Sequence, residues 1–345
     1  MNTYPVNRDS HRSPHRILAS EHFKNSLTDI PGIHLGQLTL ADGEVQTGAT
    51  VILPYPLSVR NRKLFLGSFA SGNWNEWTGL HVAQDFGTFS SPIVLCNATT
   101  VGIAYDALIS FGHQREPGLP IDNAWPPIVI GIDDGYLNNL RQRRITHDQI
   151  LQTIQTANAA ASACGSVGIG RGLCAFGGKG GVGDAAQIVQ IGEQRFTLGV
   201  FLAANGGRLP DQNEAKSPRS VAPGFVIVLA TDAPLFPEQL RLLAEAGVRG
   251  LNRLRINIEE DQQLALAFST ANTIDNAFEE KYQLFNERWL GQKTLALLCE
   301  AAGAVTMQAL RKALLQSEAV SGRNGRIVHP IASNVINWED LLQEG

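Results

Sequence analysis

The 345-residue sequence predicts a single α/β domain. Three observations carry that prediction. Short apolar runs bounded by Gly, Asn and Thr recur along the chain, several continuous enough for strands buried on both faces. Other segments follow helical periodicity instead. No linker clearly divides the chain. Hydrophobic residues make up 43% of the sequence and charged residues 17%, which is ample apolar material for a large core.

Residues 1–27 are polar and read as a loosely held arm. ATVIL (49–53), KLFLGSFA (63–70), SPIVLC (91–96) and PPIVIGI (126–132) read as strands. A helix is expected over 146–163. It opens on Thr146 with Gln149 at capping-box spacing, and Ile150, Leu151, Ile154 and Ala157 share one face. AAQIVQI (185–191) and RFTLGVFLA (195–203) are further strands, and the polar segment 205–223 reads as an exposed loop. FVIVLA (225–230) begins the next strand, followed by a helix over 237–254 with Leu240, Leu243 and Leu251 inward. LALAFSTAN (264–272) is a strand entering a polar turn. The segment 293–315 is a helix apolar over much of its circumference, as expected of one buried between layers. Residues 332–345 form a C-terminal tail.

Composition excludes several classes of function. The net charge of −4 argues against a general nucleic-acid binder, and the one dense basic run, Arg141 to Arg144, reads as a solvated turn. Cys96, Cys164, Cys174 and Cys299 form no CxxC and suit reduced core thiols better than zinc ligands or a disulfide framework. No apolar run reaches membrane-spanning length, and the N-terminus lacks a signal-peptide core, so a cytoplasmic protein is expected.

The local motifs are ambiguous. GSVGIGRGLCAFGGKGGVG (165–183) looks like a phosphate loop, but Lys179 is followed by Gly180 rather than Ser or Thr. A helix precedes these glycines and a strand follows, the reverse of the dinucleotide fingerprint, so a tight hairpin with close backbone packing is expected. His11 and His15 have HxxxH spacing, but Pro14 breaks any helix that would align them. There is no GxSxG elbow. Thr231-Asp232-Ala233-Pro234 reads either as the capped entry of the next helix or as polar groups beside a ligand. Phe268-Ser269-Thr270-Ala271-Asn272 carries the same two readings.

Four segments in order, TTVGIAYDALI (99–109), GRGLCAFGGKGGVG (170–183), IVLATDAPLFPEQL (227–240) and LAFSTAN (266–272), resemble one family. It is the self-processing aminopeptidases of the DmpA-like type, which include L-aminopeptidase/D-amidase-esterase and β-peptidyl aminopeptidase. TGATVI (47–52), PPIVIGIDDGYLNN (126–139), FTLGVFLAANGGR (196–208) and GRNGRIVHPI (322–331) fall where that family has similar segments. The resemblance spans residues 28–331. It implies a single-domain, four-layer α/β/β/α sandwich of the DmpA/ornithine-acetyltransferase-like type. It also implies a chain that cuts itself before a Ser or Thr heading an inner strand, whose freed α-amino group then serves as base.

Carried over residue by residue, that nucleophile position is Gly224, preceded by Pro223. The family's Tyr before an Asp-Gly pair is Asp133 here, and its Ser-x-acid appears as Asp261-Gln262-Gln263. Asn205 matches the oxyanion-side Asn; Thr231, Asp232, Ser269, Thr270 and Asn272 are retained as candidate substrate contacts. Asp133, Asn205, the vacant Gly224 and Gln263 are therefore the candidate catalytic positions; Ser217 and Ser220 lie nearby, but in a Pro-containing loop at the wrong distance to replace the lost hydroxyl. The first expectation is a non-processing homologue that binds a small peptide or aminoacyl-amide ligand. Two alternatives stand beside it. One is an amide or peptide hydrolase rebuilt on Asp133 as base and Asn205 as polariser; the other is an oligomeric scaffold or regulator. A homo-oligomer is expected, with no cofactor, metal, nucleic acid or membrane partner.

Overall fold

A computed structural model describes residues 23–54, 62–72, 77–118, 125–209, 217–253, 261–275 and 287–331. In chain order the elements begin with β1 (His34–Asp42), β2 (Val45–Leu53), β3 (Arg62–Ser71), β4 (Trp77–Thr78), α1 (Leu80–Phe86), β5 (Thr88–Phe89) and β6 (Ile93–Asn97). Then come α2 (Val101–Arg115), β7 (Ile128–Ile132), α3 (His147–Gln155), β8 (Cys174–Ala175), β9 (Gly178–Lys179), β10 (Gly181–Ile191) and β11 (Gln194–Asn205). The last described here are β12 (Gly224–Thr231), α4 (Pro237–Asn252), β13 (Gln262–Asp275) and α5 (Gln292–Leu315).

Two sheets stack between two helical layers. The first has strand order β1-β2-β6-β7-β4 and the second β10-β11-β12-β13-β3-β5; β6–β7 and β12–β13 are parallel pairs. Strand alternation explains the three cores. Along β12, Val226, Val228 and Ala230 face the first sheet, together with Leu264, Leu266 and Phe268 of β13 and Ile93, Leu95 and Ile130 opposite. The intervening Phe225, Ile227 and Leu229 face α4 and α5, where they meet Leu240, Leu243, Leu298 and Val305. A third core joins Ala49, Val51 and Val94 to Leu108, Ile150 and Ile154 of α2 and α3. Both faces of both sheets are covered, so strands such as FVIVLA lack a polar stripe. The expected single-domain α/β/β/α sandwich is the fold observed.

The helices sit close to the backbone they cover. A Cβ on Gly183 of β10 would lie 1.8 Å from the Ala309 carbonyl oxygen of α5, so this seat requires glycine. In the glycine-rich segment, β8 and β9 form a two-stranded hairpin, as expected. The buried Lys179 closes it by donating to the carbonyls of Gly170 (2.7 Å), Leu173 (2.8 Å) and Gly180 (2.8 Å).

Several boundaries differ from the sequence reading. The arm does not extend to residue 27: Leu27 is fully buried, and Ser26 caps the turn Leu27–Asp29 while donating to Asp184. Residues 1–22, with His11 and His15, and the tail 332–345 lie outside the described residues. The capping box at Thr146 and Gln149 is present, but α3 stops at Gln155. Beyond it, Asn158 exchanges backbone hydrogen bonds with Leu35 (2.9 and 3.0 Å), and this pairing with β1 overrides the helical period. The cap expected at Thr231 or Asp232 is not formed. α4 starts six residues after Thr231 with Phe236 as N-cap, and Pro237, not Pro234, occupies its first turn. Among the described residues no helix is long and apolar enough to cross a membrane, and all four cysteines are free.

Candidate functional site

The head of β12 lies where the two sheets meet at one end of the sandwich. Gly224 pairs with Asn205 on β11 and with Gln262 on β13. It shares the strand face of Val226 and Val228, which looks toward the first sheet. Asn205 shares that face along β11 with Phe201 and Ala203. Just past the end of β7, Asp133 comes across from the first sheet. The fully buried Asn205 donates from Nδ2 to the Asp133 carbonyl (2.8 Å), while its Oδ1 accepts from the backbone N–H of Cys174 (3.2 Å). The candidates Asp133, Asn205 and Gly224 therefore converge. Gln263 is buried on β13 beside them, but it has the parity of Ala265 and Ala267, which face the α4/α5 layer.

The segment entering β12 is bonded into this site. Ser220, 5% exposed, directs its hydroxyl at both the Asp133 carbonyl (2.8 Å) and Asn205 Oδ1 (2.9 Å), which share its one proton. The Asp133 carboxylate accepts from Ala222 N (3.0 Å) through Oδ2 and from Gly135 N (2.9 Å) through Oδ1. Asp261, 3% exposed, pairs with Arg219 at 2.7 Å and also accepts from Gly207 N–H. Gly206 (φ 151°) and Gly207 (φ 76°) adopt backbone open chiefly to glycine; a Cβ at Gly207 would lie 2.2 Å from the Phe176 ring. The exposed-loop reading therefore fails for Ser220, and residues 210–216 lie outside the described residues.

The chemistry available follows from these bonds. Gly224 has neither hydroxyl nor thiol. Ser220 Oγ donates to a carbonyl and an amide oxygen, and neither is a base able to activate it. Cys174 is nearby, but burial pushes its thiol up to about 12, which leaves it protonated at neutral pH. Behind Asp133, the fully buried Asp134 is raised to about 7, chiefly by desolvation. It accepts from Thr47 Oγ1 (2.5 Å) and Asn138 Nδ2 (3.0 Å). Burial likewise lowers Lys179 to about 7. Among the described residues, no three His, Cys, Asp or Glu side chains converge to hold a metal ion.

The other candidate set lies at the opposite end of the same strands. Thr231 and Ser269 are neighbours in the β12–β13 ladder, and at ~3.3 Å per residue Thr231 is about 23 Å from Gly224. Thr231 Oγ1 donates to the Thr197 carbonyl (2.8 Å) and accepts from Ala233 N (3.1 Å). Asp232 accepts from Thr197 N (2.7 Å), Ser269 Oγ donates to the Ala233 carbonyl (2.6 Å), and Asn272 Nδ2 donates to the Arg288 carbonyl (2.7 Å). Thr270 lies beside Ser269 within β13, which runs on to Asp275 with a shift in its register against β3 where the sequence suggested a polar turn. These groups hold backbone to backbone. Asp232 lines an open cavity of about 580 Å³ beside Phe196 and Trp289. A small ligand cannot touch both candidate sets at once.

Sequence reasoning named Asp261 only as a departure from a motif and missed Arg219 altogether. The two are joined by 42 residues and by nothing periodic, so only their opposite charges could have hinted at the pair.

The sequence matches peptidase family S58 over residues 25–328. It is 30% identical over 339 residues to the beta-peptidyl aminopeptidase BapA of Sphingosinicella microcystinivorans, covering 87% of this chain and 84% of that one. Among solved structures, it resembles a Burkholderia beta-aminopeptidase with a TM-score of 0.80 and 27% identity, over 95% of this chain and 96% of that one. The L-aminopeptidase D-Ala-esterase/amidase of Ochrobactrum anthropi, described as a variant of the Ntn hydrolase fold, superimposes with a TM-score of 0.81 at 25% identity, over 93% and 94% of the two chains. With a match running through nearly all the described elements, the chain belongs to peptidase family S58.

Proposed function

We propose that this chain is a family member that does not cut itself between Pro223 and Gly224, and that it binds a small aminoacyl or peptide-like ligand without forming an acyl-enzyme. The observation that carries this reading is Gly224 itself. Self-cleavage by an N→O acyl shift needs a hydroxyl or thiol on the residue after the scissile bond, and glycine has neither. Without that cut there is also no free α-amino group at position 224 to act as base. The retained frame supports a binding role: Asn205 and the neighbouring backbone still define a polar site at the meeting of the two sheets. The names of the relatives, aminopeptidases and an amidase, point to a ligand with an amino group beside an amide.

The test joins binding to turnover. Alanine p-nitroanilide and alanine amide should raise the melting temperature of the protein while no p-nitroaniline is released. Turnover that survives purification and disappears in Asp133→Ala would instead establish a hydrolase using Asp133 as base.

A further inference from the structure

Two of the positions where the sequence departs from the family motif grip the chain's own connector. Asp261 stands where the family motif has Ser, and it holds Arg219; Asp133 stands where the motif has Tyr, and it holds the Ala222 amide. A carboxylate only 3% exposed requires a partner, because an unpaired buried charge is costly. Arg219 supplies that partner from the segment immediately before β12, and Gly207 N–H supplies a second bond. Between these anchors, Ser220 donates to Asn205 Oδ1 and to the Asp133 carbonyl, covering the two acceptors that a ligand N–H could meet. Val221, in the middle, is 98% exposed, so the segment is tied down by its polar groups and not by apolar burial.

We infer that residues 219–222 are a built-in occupant of the vacated site, latched by Asp261 and Asp133, and that a ligand with a free cationic amino group enters by displacing Arg219 from Asp261. This rests on the binding role proposed above and gives it a ligand class: aminoacyl amides and short peptides with an unblocked amino terminus. The cation takes the place of the guanidinium, and an adjacent amide N–H takes the place of the Ser220 hydroxyl, donating to Asn205 Oδ1 and the Asp133 carbonyl. N-acylated analogues bring no cation and do not compete.

Trypsin reads the latch directly, since it must draw the Arg219 side chain into its own pocket. In the intact protein, cleavage after Arg219, identified by fragment mass, should be slow. Asp261→Asn keeps the shape and removes the charge; it should speed cleavage there about tenfold or more, as the open population rises. An unchanged rate would overturn the latch. If Asp261→Asn does not fold, hydrogen exchange on the wild-type protein decides: the Ala222 amide should exchange far more slowly than that of Val221, and equal rates would overturn the latch. Binding is then measured with alanine amide and N-acetylalanine amide on the wild type and on Arg219→Met. The latch predicts about tenfold tighter binding of alanine amide by Arg219→Met and none of the acetylated probe. A latch confirmed by trypsin and exchange, with no binding to either protein, would instead refute the ligand-binding function and the displacement step.

Discussion

The two ends of β12 both carry polar side chains and do different things with them. At the Thr231 end, Thr231, Asp232 and Ser269 bond to backbone groups of Thr197 and Ala233, on segments adjacent in the same sheet. At the Gly224 end, Asp133, Asn205, Arg219, Ser220 and Asp261 come from both sheets and from the connector, and bond largely to one another. Polar groups that satisfy their own turn shape the fold. Groups brought together from distant segments form a site. The segments that carry the family resemblance are conspicuous at the Thr231 end, while Asp133, Gly224 and Asp261 lie at the other.

Substitutions at the two ends should separate these roles. The largest effect is expected from Lys179→Met beside the Gly224 end, which removes three buried hydrogen bonds to carbonyls and should cost on the order of 3 kcal/mol, measured by urea denaturation. A negligible loss would show that the hairpin does not hold the site's floor. Next comes a pH effect from Asp134. Its folded pKa, about 7, lies above its ordinary value of 3.8, so its contribution to stability is full below about pH 4 and is lost as pH rises through 7. Asp134→Asn should flatten the stability profile in that window, and a profile identical to wild type would refute the assignment. The smallest effect is expected at the far end. Thr231→Val removes two hydrogen bonds of a turn and should lower stability by about 1–2 kcal/mol, leaving alanine amide affinity unchanged. A change in that affinity would break the distinction between the two ends.

Much of the fold was legible because its signals are local. Doubly covered strands such as FVIVLA are continuous apolar runs, and the helices 237–254 and 293–315 show their periods plainly. The misread boundaries had non-local causes: α3 ends early because Asn158 pairs with Leu35, and Thr231 reaches back to Thr197 instead of capping α4. The site was legible in the same proportion. Gly224 could be singled out from a motif offset, whereas the Arg219–Asp261 pair could not, because it arises only when the segment before β12 meets the residue leading into β13.

The central claim is that a fold built for self-processing is kept here as one uncut chain. Intact-mass measurement of the purified protein tests it most directly, with Gly224→Ser alongside. The account predicts one wild-type species at the full 37.3 kDa. Wild-type protein arriving as two fragments that meet between Pro223 and Gly224 would contradict it.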